Sequence, residues 1–287
     1  MYRRQFEYYR PGSVQEAVQL LAGNPEAKVL AGGHSLLPAM KLRLATPAAL
    51  VDIGRIPGLR GISTDGGVRI GAMTTYNELL DSAALRQILP IIAETAYIVG
   101  DPAVRARGTL GGSLAHADPA ADFPAVILAL GGSVKAVGHN GERTIAADDL
   151  FVDLLTTSLE PDEVLTEIDI PTPSGKTGMA YEMIAHPASG YAVVGVAAVV
   201  SLGDDGKVSS ARIAVTGATS KATRATAAEQ ALQGKPLGAD SIAAAAAAAP
   251  DGLEINGDHF ASEDYRRHLV SVLTKRALAR AAEQVSG

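Results

Sequence analysis

The chain has 287 residues, 47% hydrophobic and 20% charged, with a formal net charge of -6. That length suits two or three compact units, and the acidic balance excludes the basic footprint of a nucleic-acid binder. There is no cysteine, which excludes disulfides, a catalytic thiol, thiolate metal sites and an iron–sulfur cluster held by this chain.

The opening, Met1 to Glu7, lacks the apolar core of a signal peptide. The longest apolar run, Tyr191 to Leu202, is too short to span a bilayer. The expectation is a cytoplasmic protein. Ser13-Val14-Gln15-Glu16 has capping-box spacing, and Val14, Ala17, Val18 and Leu21 recur at helical spacing, which predicts a helix over 14–22. A strand at Lys28–Ala31 leads into the turn Ala31-Gly32-Gly33-His34-Ser35. Helix or strand follows over Pro38–Leu44, then a strand at Leu50–Ile53. Val68–Ala72 reads as a strand, and Thr75-Tyr76-Asn77-Glu78 opens a short helix. An apolar helix is expected at Pro90–Tyr97, then an irregular loop from Val99 to Gly108, then a second glycine turn, Thr109-Leu110-Gly111-Gly112-Ser113. Asp122 reads as the N-cap of a helix over Phe123–Leu130. Strands follow at Val134–Val137 and Glu163–Ile170, and Pro171–Gly175 reads as a linker.

Beyond it come three strands, Met179–Ile184, Tyr191–Leu202 and Val208–Val215, the last two joined by a hairpin-type turn at Gly203–Lys207. Helices are expected over Thr223–Leu232, Ile242–Ala249 and Ser262–Gln284. The sum is an α+β chain with units at 1–55, 56–173 and 176–287, the last a three-stranded sheet with helices.

Paired glycines let backbone N–H groups approach a ligand and form a nest for an anion. Two such turns flanked by hydroxyl residues point to one diphosphate gripped from two sides. Neither has the spacing or the lysine of a Walker loop, nor the dinucleotide fingerprint, so a Rossmann domain and nucleotide hydrolysis are disfavoured. The six histidines form no close pair at metal spacing. His34 and His116 read as neighbours of a ligand rather than as acid–base groups. Asp118 and Asp122 read as a loop residue and a helix cap that also meets a ligand hydroxyl, ahead of a metal pair. Ser35 lacks a nucleophile elbow, and Arg105 and Arg107 read as a solvated pair rather than phosphate ligands. No catalytic residue and no metal ligand is assigned.

With these residues in view, the chain resembles the FAD-binding medium subunits of the molybdenum hydroxylases, and among them the carbon monoxide dehydrogenase flavoproteins. The resemblance rests on Ala31-Gly32-Gly33-His34-Ser35-Leu36-Leu37-Pro38, on Arg107-Gly108-Thr109-Leu110-Gly111-Gly112-Ser113-Leu114, and on Ala117-Asp118-Pro119-Ala120-Ala121-Asp122. Phe6-Glu7-Tyr8, Arg10-Pro11, Val68 to Ala72 with Thr74, and Glu160 to Leu165 extend it over nearly the whole chain. It implies a two-subdomain FAD-binding fold of the vanillyl-alcohol-oxidase (PCMH) type and a C-terminal α+β domain. It implies that Val29, Leu30, Ala31, Gly32, Gly33, His34, Ser35 and Leu36 wrap the pyrophosphate. Thr109, Gly111, Gly112 and Ser113 would complete the grip and Asp122 would bond the ribityl or nearby hydroxyls. Ile98, Val104 and Leu165 would lie near the flavin or adenine, and Tyr191 against one face of the isoalloxazine. Relatives often carry a lysine after the aromatic residue where Tyr181 is followed here by Glu182-Met183, so the resemblance implies no flavin-polarising cation at that point.

The implied role is electron transfer. A small subunit with two 2Fe–2S clusters would supply electrons, a large subunit would hold the molybdenum cofactor, and FAD here would pass electron pairs to an external acceptor such as a quinone. The assembly would be a dimer of heterotrimers, peripheral to the inner face of the membrane. The alternatives are the medium subunit of an N-heterocycle, aldehyde or xanthine-type hydroxylase, a stand-alone FAD oxidase, and a non-catalytic nucleotide-binding or assembly protein.

Overall fold

The computed structural model describes residues 5–173 and 175–286. The readings of Met1 to Arg4 and of Ser174 in the linker lie outside them. The chain opens with β1 (Glu7–Tyr9), α1 (Val14–Ala22), β2 (Ala27–Leu30), α2 (Leu36–Lys41) and β3 (Ala49–Asp52). The strands form a parallel sheet in the order β1-β3-β2. Helix α1 starts where the capping spacing placed it, with the Ser13 side chain accepting from the Glu16 N–H. Its apolar stripe, Ala17, Val18 and Leu21, packs against Ala27, Val51 and Ile53. The edge position of β2 leaves the chain free to turn outward at Ala31, where the first glycine motif begins.

The second unit runs through β4 (Ile62–Ser63), β5 (Val68–Gly71), α3 (Tyr76–Asp81), α4 (Ala83–Ile88), α5 (Pro90–Ile98), α6 (Pro102–Arg105), α7 (Leu110–His116) and α8 (Asp122–Leu130). It continues with β6 (Ser133–Gly138), β7 (Gly141–Ala146), α9 (Ala147–Leu150), β8 (Phe151–Asp153), β9 (Thr156–Thr157) and β10 (Val164–Ile170). Its antiparallel sheet has the order β4-β5-β10-β6-β7. Every residue of α8 is buried, so this helix is the centre of the molecule. Three expectations change here. The loop from Val99 to Gly108 contains a helical turn, α6, capped by Asp101 through the Val104 N–H. The second glycine turn is the start of α7, with Thr109 as its cap. The N-cap of α8 is Ala121, while Asp122 is the first helical residue.

The last unit consists of β11 (Lys176–Ala185), β12 (Ala192–Leu202), β13 (Val208–Thr216), β14 (Thr223–Arg224), α10 (Thr226–Leu232), α11 (Ala239–Ala248) and α12 (Glu263–Ser286). The sheet is antiparallel in sequence order, β11-β12-β13-β14. It has a fourth, two-residue strand where the sequence predicted the first turn of a helix: Thr223 and Arg224 pair with Val215 and Ala214, and the helix begins at Thr226. Alternation along β12 explains the burial of both faces. Val194, Val196, Ala198 and Val200 face the layer of α10, α11 and α12. Ala197 and Val199 face the core that contains α8. Met179, Tyr181 and Ala214 join that same core, so the second and third units share one apolar interior. Polar bonds fix the join: the Thr216 hydroxyl lies 2.7 and 2.8 Å from the Pro119 and Ala121 carbonyls, which share its one hydrogen. The Gly217 and Ala192 amides donate to the Pro119 and Ala120 carbonyls. Among the described residues no helix is long and apolar enough to cross a membrane.

Candidate functional site

The first glycine motif leaves the edge strand β2 and enters α2. Gly33 has φ +79°, a conformation that glycine adopts without strain. The amides of Gly32, Gly33, His34, Ser35 and Leu36 donate to no atom among the described residues. The first intrahelical donor is the Leu37 N–H, to the Gly33 carbonyl. A run of backbone N–H groups without partners requires an acceptor from water or ligand, and aligned donors of this kind make an anion nest. The Ser35 side chain makes no cap bond to α2. His34 is exposed, while Val29, Leu30, Ala31 and Leu36 are half-buried behind the loop.

The second motif lies against the first. A Cβ on Gly32 would overlap the Arg107 carbonyl oxygen and sit 3.0 Å from the Gly108 Cα; one on Gly112 would sit 3.6 Å from the Ala31 Cβ. The two segments named from sequence are therefore neighbours in space. Their amides differ. The Leu110 and Gly111 N–H groups donate to the Thr74 and Ala72 carbonyls, Ser113 to the Thr109 carbonyl, and Gly112 to the Thr109 hydroxyl at 3.1 Å. The N–H groups of Leu110 to Ser113 are thus already engaged inside the protein, and what these four residues offer a ligand is the Ser113 hydroxyl and a close surface. Gly111 is required for packing, because a Cβ there would lie 2.5 Å from the Ala72 Cβ. The second motif is braced by the antiparallel bridge Thr75–Thr109 and by the Tyr76 amide donating to the Gly108 carbonyl.

Three tyrosines and a carboxylate close the site. Tyr191, on the turn before β12, is half-exposed, and its phenol meets the Ser35 side chain. Burial, with the charges of Asp118 and Asp122, raises its pKa against that contact. The third unit therefore reaches the first glycine motif. Tyr76 stacks on Phe123 at 5.2 Å, and burial pushes its phenol up to about 12 despite its contact with Ser113. Asp122 is nearly fully buried, and its Oδ1 accepts from the Tyr181 hydroxyl at 2.6 Å. Desolvation raises the Asp122 carboxyl to about 6, with the Tyr181 bond opposing and the Asp118 charge adding. Asp118 instead closes its own turn by accepting from the Ala120 N–H at 2.9 Å.

Other candidates from the sequence lie at the margin. The Val104 carbonyl anchors the Arg107 and Gly108 amides. Ile98 is exposed on a separate groove with Leu80, Tyr97 and Arg280, and Leu165 is buried in the core of the second unit. Arg105 is half-buried, and its guanidinium donates to the carbonyls of Tyr97, Val99 and Gly100 at 3.2 to 3.3 Å rather than pointing at the glycine loops. Glu182, where a lysine was expected from the resemblance, pairs with Arg280 at 2.9 Å, and Arg280 also holds Glu94. The sequence reading passed over Tyr181 and Tyr76 as site residues. Strand alternation places Tyr181 on the α8 side of β11, but nothing local says that it meets a carboxylate 59 residues away. No group of three or more potential metal ligands occurs among the described residues.

Comparison with known proteins adds names to this geometry. The family described as "FAD binding domain in molybdopterin dehydrogenase" matches residues 4–173, and "CO dehydrogenase flavoprotein C-terminal domain" matches residues 179–281. The carbon monoxide dehydrogenase medium chain of Hydrogenophaga pseudoflava is 43% identical over 275 residues, covering 95% of this chain and 96% of that one. The 6-hydroxypseudooxynicotine dehydrogenase complex subunit alpha of Paenarthrobacter nicotinovorans is 41% identical over 278 residues, with coverage of 96% and 94%. A chain in the solved carbon monoxide dehydrogenase of Hydrogenophaga pseudoflava superposes with a TM-score of 0.95 at 44% identity, over 99% of this chain and all of that one.

Proposed function

We propose a role from one premise: the chain belongs to the family of FAD-binding medium subunits of the molybdenum hydroxylases. It is an oxidoreductase subunit of a multi-subunit complex. Our reading is that it carries electrons between partner subunits and an external acceptor, with its units divided near residues 55 and 174. The partners in this reading are a small subunit with 2Fe–2S clusters and a large subunit with the molybdenum cofactor, paired as a dimer of heterotrimers. The acceptor is a quinone or a similar carrier. Bound FAD supplies the exchange between single electrons and electron pairs.

The observation that carries the reading is the run of partnerless amides from Gly32 to Leu36, laid against Arg107 and Gly108. These dipoles would hold a pyrophosphate without a lysine, and neither loop contains one. Ser35 and Ser113 would donate at its sides, Asp122 would accept from a cofactor hydroxyl, and Tyr191 would cover one face of the ring. Gly111 supports the site by packing. His34 stands beside it, exposed.

For the substrate of the complex we propose carbon monoxide, supported by the 43% identity to the carbon monoxide dehydrogenase medium chain. The 41% identity to a relative named for 6-hydroxypseudooxynicotine favours a second reading, a complex that hydroxylates another organic substrate. The test has two arms. The purified chain, incubated with FAD and desalted, should show a flavin spectrum, and denaturation should release FAD. A chain that emerges colourless overturns the FAD reading. Chains that co-purify from the native source should include one iron–sulfur and one molybdenum subunit, and that complex should reduce a dye with carbon monoxide. Reduction by N-heterocycles or aldehydes but not by carbon monoxide would replace the first substrate with the second.

A further inference from the structure

The Asp122–Tyr181 bond is the place where a buried titratable group of the second unit meets the third. Asp122 projects from the first turn of α8, and Tyr181 is fully enclosed on β11. Gly195 on the neighbouring strand leaves the space that this side chain fills, because a Cβ there would overlap the Tyr181 hydroxyl. The hydroxyl can donate one hydrogen, and it does so to Asp122 Oδ1 at 2.6 Å. Apart from the residue's own backbone N–H, no second protein donor reaches the carboxylate among the described residues. A carboxylate this buried is stable only if its lone pairs find donors.

We propose that Tyr181 is a positioning residue for the cofactor, fixing the Asp122 carboxylate by one oxygen so that the other accepts from a hydroxyl of FAD. This rests on the FAD reading above. The C-terminal unit is then part of the binding site through two tyrosines, Tyr191 at Ser35 and Tyr181 at Asp122. Ligand affinity should follow the ionisation of Asp122, because a carboxylate accepts a stronger bond than a carboxylic acid. Desolvation has moved that ionisation up to about 6, while the Tyr181 bond holds it down. Tyr181 on β11 and Asp118 on the preceding loop act on Asp122, and its charge in turn acts on Tyr76 of α3 and on Tyr191. Around the rest of α8, Arg212 on β13 and Arg224 on β14 engage Asp148 of α9, and Arg212 also takes the Leu128 carbonyl at the far end of the helix. His116 ends α7, and Glu94 of α5 is held by Arg280.

The experiment is a titration of the full FAD-free chain with FAD, read by flavin fluorescence, from pH 4.5 to 8. Wild type, Tyr181→Phe, Asp122→Asn and the double variant are compared, with far-UV circular dichroism confirming each fold. Wild-type affinity should fall as the pH drops through about 6. Tyr181→Phe should bind FAD roughly tenfold or more weakly at pH 7, in line with a lost hydrogen bond to a charged group, with the pH midpoint moved upward. Asp122→Asn should give a flat profile on which Tyr181→Phe has little further effect. Equal affinity and midpoint in wild type and Tyr181→Phe overturn the proposal. So does an equal loss from Tyr181→Phe when Asp122→Asn is already present, which marks a packing role only. A wild-type chain that never binds FAD overturns the FAD reading itself. A Tyr181→Phe chain that fails to fold places the residue in the core rather than the site, and also counts against the proposal.

Discussion

Ala31–Ser35 and Thr109–Ser113 are alike as strings of letters and opposite as physical objects. Each has two adjacent glycines and a hydroxyl residue. In the first, five successive amides lack protein partners and a glycine sits at positive φ. In the second, four successive amides are bonded within the protein and the glycines lie in a helix. Glycine serves donor exposure and close approach to the Arg107 backbone in the first, and close packing against Ala72 in the second. Adjacent glycines therefore mark a place where backbone comes close to something, and the hydrogen bonds decide whether that something is ligand or protein.

Substitutions at the two motifs should accordingly fail in different assays. The largest effect is expected from Gly32→Val, whose side chain would part the loops at Arg107. Loss of FAD retention by about 100-fold or more is expected, together with a lower melting temperature of the FAD-free chain, since the clash is with backbone that cannot swing aside. Gly111→Val should act on the fold more than on the ligand, because the amides of this motif are already bonded within the protein. Overpacking against Ala72 costs about 1–3 kcal/mol or more, so the FAD-free chain should melt several degrees lower. If Gly111→Val loses FAD as far as Gly32→Val does while its melting temperature is unchanged, the contrast between the motifs is wrong.

Asp122 adds a pH signature to the second region. Its folded pKa, about 6, lies above the ordinary value of 3.8. Ionisation therefore opposes folding: the penalty is absent below the unfolded value and complete above about 6. Its full size is about 3 kcal/mol, at roughly 1.4 kcal/mol for each pH unit between the two values. In FAD-free chain, Asp122→Asn should be more stable than wild type at pH 7.5 by up to that amount, and the gain should vanish near pH 4. The lowered carboxyls of Glu163, held by Arg143, and of Asp148, held by Arg212 and Arg224, act in the opposite direction in both chains, so the difference between the two isolates Asp122. A gain that persists at pH 4 would show that ionisation is not its source.

Thr109→Ala removes the α7 cap and should cost about 1 kcal/mol in denaturant unfolding, with a small loss of FAD affinity. The least effect is expected from His34→Ala, because the imidazole is exposed and the amides beside it remain. A tenfold loss of FAD there would make His34 a ligand in its own right.

Local rules carried the sequence reading far. The capping spacings at Ser13 and Thr75, the periodicities of α1 and α5 and the hairpin after β12 all form as their residues dictate, because each rests on contacts within a few positions. The family motifs also fixed the cofactor class. Long-range bonds set the remainder. Thr223 and Arg224 became strand because Val215 and Ala214 offered an open edge. Arg105 was drawn to three carbonyls that only the folded loop brings together. Asp122 lost the capping role its position suggested because burial set it against Tyr181. Composition, helix signals and glycine positions were legible because they act through neighbours in the chain. Which amides stay free and which carboxylate is desolvated depend on partners tens of residues away, and tertiary packing alone settles those.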